Sequence, residues 1–147
     1  MLKIRDITED DRDSFIPMVV DFYRGGATLY EANVGYISQT FDAVIQHSPY
    51  LRAVIIQQDD ITVGYALLAF TWSNESGGRV VWLEQLYIKP EFRGKTIGSH
   101  FLQWLQEEYR TFSRIRLEVC PFNPDAKRLY EKYGFHTLDY IQMVYDR

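Results

Sequence analysis

The chain has a single cysteine, Cys120, which excludes an internal disulfide and suits a reducing compartment. Three histidines, at 47, 100 and 136, lack the spacing of a metal site. No apolar run approaches the ~18 residues of a membrane span, and Met1-Leu2-Lys3-Ile4-Arg5 shows no signal-peptide pattern. A cytoplasmic protein with no membrane partner is the expectation. Excess positive charge is also missing: the net charge is −4, against the basic surface that a nucleic-acid binder carries. No repeat, low-complexity tract or linker interrupts the 147 residues, a length that suits one domain, residues 1–147. What is abundant is aromatic, at 16%, which suggests a pocket or an interface without saying which.

The hydrophobic pattern orders the chain. Leu2 to Arg5 alternates as a strand, and Thr8 with Asp11 resembles a capping box ahead of a helix striped by Phe15, Met18, Val19, Phe22 and Tyr23. Pro17 predicts an irregular start, with the regular helix beginning near it, and Gly25-Gly26 ends it. Asn33 is placed to cap a second helix striped by Val34, Ile37, Phe41, Val44 and Ile45. Three strands follow over residues 51–57, 61–72 and 79–88, joined by turns at Gln58-Asp59-Asp60 and Asn74 to Gly78. A helix striped by Ile97, Phe101, Leu102 and Leu105 leads to an alternating strand at Ile115 to Val119. A last helix carries Ala126, Leu129, Tyr130 and Tyr133 and stops at Gly134. The tail through Ile141, Met143 and Tyr145 alternates again. The order β-α-α-β-β-β-α-β-α-β predicts an α/β fold with a mixed sheet, antiparallel at its hairpins, and a right-handed crossover through the third helix.

Chemistry concentrates in Trp82-Leu-Glu-Gln-Leu-Tyr-Ile-Lys-Pro-Glu-Phe-Arg-Gly-Lys-Thr-Ile-Gly98. A buried strand runs into Pro90, then a loop with Arg93, Gly94 and Lys95, and a helix starts at once. Unpaired N–H groups at a helix N-terminus, with two nearby cations, favour a phosphate. A plain strand-to-helix turn with solvated charges is the competing reading. Neither Gly-x-x-x-x-Gly-Lys-Ser/Thr nor Gly-x-Gly-x-x-Gly is present.

This stretch resembles motif A of the GNAT (GCN5-related) N-acetyltransferases, whose pyrophosphate loop follows Gln/Arg-x-x-Gly-x-Gly/Ala. Arg93 takes the first place and Gly98 the last. Asn123-Pro-Asp-Ala-Lys-Arg-Leu-Tyr-Glu-Lys-Tyr-Gly-Phe135 resembles the family's motif B, and the element order matches the fold from end to end. Leu-Glu beside Arg-Gly-x-x-Ile-Gly is most similar to the polyamine/diamine acetyltransferase-like branch. One position departs: Thr96 stands at the motif's middle glycine. If that position needs φ > 0, threonine costs about 1–2 kcal/mol; in a helical conformation it costs little.

The resemblance implies a sheet splayed between the fourth and fifth strands, with acetyl-CoA as co-substrate in the gap. Main-chain groups of Leu86, Tyr87 and Ile88 would pair with its pantetheine arm. Arg93, Gly94, Lys95, Thr96, Ile97, Gly98 and Ser99 would hold the pyrophosphate, and Asn123 would help hold the far side. No metal is implied. Acetyl transfer needs a base for the amine and an acid for the leaving thiolate. Glu84, a carboxylate inside an apolar strand and read by alternation as sharing a face with Leu86, is the base. Tyr130 is the acid, because it lies where the family keeps its acid tyrosine; by periodicity alone it is a stripe residue. Cys120 reads as a small buried residue. Asp21, Glu31, Glu75 and Glu84 with Tyr23, Tyr30, Trp72 and Trp82 would attract and sheathe a cationic amine. The expected partner is a small amine of open identity, and a homodimer is admitted. Two alternatives are a non-catalytic acyl-CoA-binding module and a protein lysine or N-terminal acetyltransferase.

Overall fold

A computed structural model describes residues 1–147. Strand β1 (Leu2–Asp6) is followed by a 3-10 turn (Glu9–Asp11), helices α1 (Arg12–Arg24) and α2 (Val34–Ile45), and strands β2 (Leu51–Gln58), β3 (Ile61–Ser73) and β4 (Gly78–Ile88). A second 3-10 turn (Pro90–Phe92) precedes α3 (Ile97–Glu108), β5 (Arg114–Leu117) and α4 (Pro124–Lys132). The sheet has the order β1-β2-β3-β4-β5, antiparallel except for the parallel β4–β5 pair that α3 connects.

Each face of the sheet is apolar and each is covered. On one side Phe15, Met18, Val19 and Phe22 of α1 and Ile37 and Phe41 of α2 close over Ala53, Ile55, Tyr65 and Tyr87. On the other, Ile97, Phe101, Leu102 and Leu105 of α3 pack on Val54, Ala66, Leu68, Val81 and Leu83, with Leu129 and Tyr130 of α4 at the margin. These are the stripes that 3.6-residue periodicity predicts. Asn33 caps α2, its Oδ1 accepting from the Tyr36 N–H at 3.1 Å. The turn between β2 and β3 is the pair Asp59-Asp60, both at positive φ, as a tight hairpin requires.

Three details differ from the sequence expectation. Pro17 lies well inside α1, which already begins at Arg12; Glu9–Asp11 supply the irregular start instead. Asp11 does more than cap. It accepts from the Thr8 N–H at 2.7 Å and takes two hydrogen bonds from the Arg5 guanidinium, each at 2.8 Å, in a nearly buried pair that ties α1 to β1. The expected last strand at Ile141, Met143 and Tyr145 does not form. Residues 136–147 form no ladder with the edge strand β5; contact with the end of that strand is by side chain, Gln142 Nε2 donating to Glu118 at 2.7 Å.

Gly64, which no motif marks, has a structural reason. A Cβ there would meet the Tyr87 carbonyl oxygen at 2.1 Å, so only glycine lets β3 lie against the end of β4.

Removing the Asp11 carboxylate leaves Arg5 without a carboxylate partner, so Asp11→Ala is expected to lower stability by about 2–4 kcal/mol at neutral pH. The Arg5 hydrogen bonds, opposed by burial, hold the Asp11 carboxyl below its ordinary range. Its contribution is therefore present above the unfolded value of about 3.9 and is lost as pH falls through the lower folded value. Urea unfolding at neutral and acid pH checks this: the gap between wild type and variant should close in acid.

Candidate active site

β4 is longer than its parallel partner. Pairing with β5 runs from Val80–Arg114 to Leu83–Leu117 and ends there, while β4 continues to Ile88. The edge of β4 beyond Leu83 has β3 on one side and no strand on the other. A bulge sets the point of divergence: Leu67 pairs with Gln85 and Leu68 with Leu83, so Glu84 is the extra residue.

The bulge corrects the alternation argument for Glu84. Val81, Leu83, Leu86 and Ile88 all join the core on the α3 side, whereas Tyr87 joins the opposite core. The face changes phase at Glu84, which therefore does not share Leu86's face by simple period two. The residue is exposed as a whole, its carboxyl is partly desolvated, and it stands where β4 and β5 part. Glu118, one residue past the end of β5, follows the Leu83–Leu117 register on the other strand. Desolvation first, and the Glu118 charge second, raise the Glu84 carboxyl above its ordinary value. The sequence reading missed Glu118, whose role depends on the parallel register.

Beneath the bulge, Gln85 is held by a polar string. Tyr65 donates to Gln85 Oε1 at 2.7 Å, and Gln85 Nε2 donates to the Tyr23 hydroxyl at 3.4 Å. Tyr87 donates to the Asp21 carboxylate beside it. Together these bonds fix α1 to β4 on the side away from α3.

The loop after β4 leaves a run of backbone donors without acceptors in the chain. Gly94 has φ of 76° and Thr96, the residue before α3, has φ of 65°. The backbone N–H groups of Gly94, Lys95, Thr96, Ile97, Gly98 and Ser99 donate to nothing within the chain. Six donors at one helix N-terminus form a site for anionic oxygens. Gly98 leaves its approach open, since a Cβ there would meet only Leu129 Cδ2, at 3.5 Å. Arg93 is turned away from this role: its Nε donates to the Ile88 carbonyl at 2.7 Å and its guanidinium stands 5.5 Å from the Tyr87 ring. It closes the end of β4. The Lys95 side chain makes no hydrogen bond or ion pair, and its Nζ lies 5.8 Å from the centre of the Phe92 ring.

Across the gap, Asn123 Oδ1 caps α4 by accepting from the Ala126 N–H at 3.4 Å. Tyr130 packs edge-on to Phe135, and its hydroxyl has no partner in the protein and is not sealed from solvent. Burial raises its pKa, so the phenol stays protonated at neutral pH. Cys120 is partly buried, its thiol against the Ala27 carbonyl at 3.3 Å. A groove of about 560 Å3 lies between β5, α4 and the tail. Tyr130 and Glu118 line it, but no residue of the loop from Arg93 to Ser99 does.

The acidic and aromatic residues expected to sheathe an amine do not gather. Glu75 is bound to Arg114 and Tyr140 at the β3–β4 hairpin, and Trp82 is covered by the Arg116 guanidinium at 4.2 Å. Trp72 and Tyr30 are exposed. Asp21, Tyr23 and Gln85 are the polar groups brought together beside β4.

Residues 8–135 match the acetyltransferase (GNAT) family. The chain belongs to that family. The thialysine N-epsilon-acetyltransferase of Mus musculus is 35% identical over 146 residues, covering 92% of this chain and 85% of the mouse protein. The Bos taurus protein of the same name is 37% identical over 83 residues, 55% of this chain, so the match spans about half of that relative, 48%. A Bacillus subtilis spermine/spermidine N(1)-acetyltransferase is 26% identical over 144 residues, 91% of this chain and 87% of its own. These relatives lie in the polyamine-like branch that the motifs indicate. Among solved structures, a possible acetyltransferase from Clostridium difficile 630 superimposes with a TM-score of 0.86 at 19% identity, covering 100% of this chain and 98% of that one. Aminoglycoside N-acetyltransferase AAC(6')-Iy in complex with CoA gives 0.79 at 15%, covering 100% and 95%. At these identities the likeness is one of fold: the GNAT fold is shared over the whole chain.

Thr96 sits in the left-handed region that a β-branched side chain disfavours. Its hydroxyl donates to the Lys95 carbonyl at 2.5 Å, which does not remove the clash of its Cβ. Thr96→Gly is therefore expected to raise stability by about 1 kcal/mol, the relieved strain less the flexibility that glycine adds to the unfolded chain. Thermal unfolding of the two proteins at equal concentration checks it.

Proposed function

We propose that residues 1–147 form one acetyl-CoA-dependent N-acetyltransferase domain that transfers the acetyl group to a small primary amine by direct attack. The observation that carries this is the conjunction of six unclaimed N–H donors at the α3 N-terminus with the open edge of β4 immediately before it. A pyrophosphate fits the first and an amide-bearing arm, pairing as an added strand, fits the second. On this reading the loop from Arg93 to Ser99 holds the pyrophosphate, Arg93 by bracing Ile88 rather than by direct charge. Main-chain groups of Leu86, Tyr87 and Ile88 hold the pantetheine, and the free amide nitrogen of Asn123 faces the cofactor from the other side. Thialysine and spermidine, which the relatives' names give as their substrates, both carry primary amines, and that supports a small amine acceptor.

The chemistry then runs through two proton positions. Glu84 accepts a proton from the substrate ammonium, directly or through one water, and the freed amine lone pair attacks the thioester carbonyl. The tetrahedral adduct collapses with cleavage of its C–S bond. Tyr130 donates its hydroxyl proton to the departing thiolate and regains one from the adduct's N–H2+ group through solvent, leaving the neutral acetylamide, CoA and a protonated Tyr130. A carboxyl with a raised pKa suits the first task and a neutral, unpartnered phenol the second.

Two outcomes test the assignment. Tyr130→Phe removes one proton donor and no packing surface: kcat should fall by about 10²–10⁴ while acetyl-CoA affinity and fold persist. Wild-type turnover would remove Tyr130 from the mechanism, and early melting would make it a packing residue. Glu118→Gln removes the negative charge that helps raise Glu84. A base acts when deprotonated, so the acid limb of kcat/KM should move to lower pH. An unmoved limb would mean that the group titrating there is not Glu84.

A further inference from the structure

We infer that the buried hydroxyl of Tyr65 is a positioning group for Glu84: it holds Gln85, and through Gln85 the bulge that sets the neighbouring carboxyl at the gap. The catalytic consequence rests on the role proposed for Glu84; the positioning itself does not.

A bulge is the weak point of a strand. Glu84 is the extra residue between the Leu68–Leu83 and Leu67–Gln85 pairs, so no residue of β3 stands opposite it. β5 gives no support either, because its pairing with β4 ends at Leu83. No hydrogen bond acts on the Glu84 carboxyl, only burial and the charge of Glu118. What holds that carboxyl in place must act through a neighbour.

Gln85 is that neighbour, and its carboxamide is held at both ends. Tyr65 pairs with Tyr87 in the register, which makes it the diagonal neighbour of Gln85 across the two strands. The Tyr65 hydroxyl donates to Gln85 Oε1 at 2.7 Å, and Gln85 Nε2 donates onward to Tyr23 of α1 at 3.4 Å. An amide oxygen only accepts and an amide nitrogen only donates, so the string runs one way and fixes one carboxamide orientation. The shorter bond is the one from the sheet.

Packing alone does not call for this hydroxyl. Tyr65 is 0% exposed, with Phe15 edge-on at 5.1 Å, Tyr87 stacked at 5.8 Å and Phe22 at 6.5 Å. A phenylalanine ring would fill the same space. A buried hydroxyl loses its hydration, and its one hydrogen bond, to Gln85, offsets that loss. Burial also pushes the phenol's pKa far up, so the group stays a donor at neutral pH.

The charges near Glu84 do not depend on this hydroxyl. Glu118 stands past β5, Arg116 of β5 lies over Trp82, and Asp21 of α1 accepts from Tyr87. A change in the Glu84 titration on loss of the hydroxyl therefore reports how the carboxyl is placed and solvated.

Carbon-13 NMR titration of the Glu84 carboxyl in Tyr65→Phe tests the inference. The variant keeps the ring, frees the Gln85 amide oxygen, and lets water reach the loosened bulge. Because desolvation is the main cause of the raised value, the carboxyl should titrate lower than in the wild type, nearer its ordinary range. The acid limb of kcat/KM should move down with it. kcat should fall roughly 10- to 100-fold, the cost of a misplaced group, while acetyl-CoA affinity holds. Glu84→Gln separates this from the base assignment. An acid limb that persists in Glu84→Gln removes Glu84 as the base, and the carbon titration still decides the positioning. An unmoved Glu84 titration in Tyr65→Phe overturns the proposal. So does a loss of acetyl-CoA affinity as large as the loss in kcat, which would make Tyr65 a support of the whole strand. If Tyr65→Phe fails to fold, Tyr65→Phe/Gln85→Met puts an apolar pair in place of the bonded one. The same titration then decides: a lowered value supports the positioning, and an unmoved one overturns it.

Discussion

The loss of β5 as a partner beyond Leu83 is the constraint on which the site depends. A parallel pair that continued to Ile88 would satisfy the backbone of β4 internally and leave no edge for a ligand. The bulge at Glu84 separates the two regimes. It inserts a residue against β3, turns the following side chains to new faces, and places a carboxylate at the point of divergence. The fold tolerates it because the remaining register is enforced on both sides: Leu83, Leu86 and Ile88 are held in the core under α3, and Gln85 and Tyr87 are tied to α1 by Tyr23 and Asp21. Gly64 contributes from β3, since only a residue without Cβ lets that strand lie against Tyr87.

The loop that follows carries strain in a place where strain has a use. Gly94 and Thr96 lie at positive φ in a run of N–H groups that no acceptor in the chain takes, and α3 adds the first three of its own. A chain that satisfied these donors internally would be more stable and would bind no anion. Arg93, braced on the Ile88 carbonyl, links the loop to the open strand, so the two halves of the proposed cofactor site are mechanically one piece.

Helix stripes were legible in the sequence because each helix buries one face, and the periodicity of Phe15, Met18, Val19 and Phe22 or of Ile97, Phe101, Leu102 and Leu105 reports that burial directly. The anion loop was legible from Pro90, Gly94 and Gly98 around two cations. Other features were not. Glu84 stands in an unbroken β-type run, and a bulge is a property of pairing between strands that periodicity along one strand does not encode. Asp11 read as a cap because Thr8 lies three residues before it; its salt bridge comes from β1, brought near by the fold. Glu118 belongs with Glu84 through the parallel register alone. Arg93 read as a phosphate ligand from its place beside glycines, whereas its reach carries it back to Ile88. The tail shows the converse: its alternation was visible, but a pattern names a strand without naming the strand's partner.

The central claim is that the donors from Gly94 to Ser99 hold the pyrophosphate of acetyl-CoA, and calorimetric titration of Gly98→Asp with acetyl-CoA tests it most directly. A Cβ at residue 98 meets only Leu129 Cδ2, at an ordinary contact distance of 3.5 Å, so the variant should fold. Its carboxylate would stand where phosphate oxygens must sit. The account predicts that wild type binds acetyl-CoA and that the folded variant gives no detectable binding heat. An unchanged affinity in the variant would contradict it.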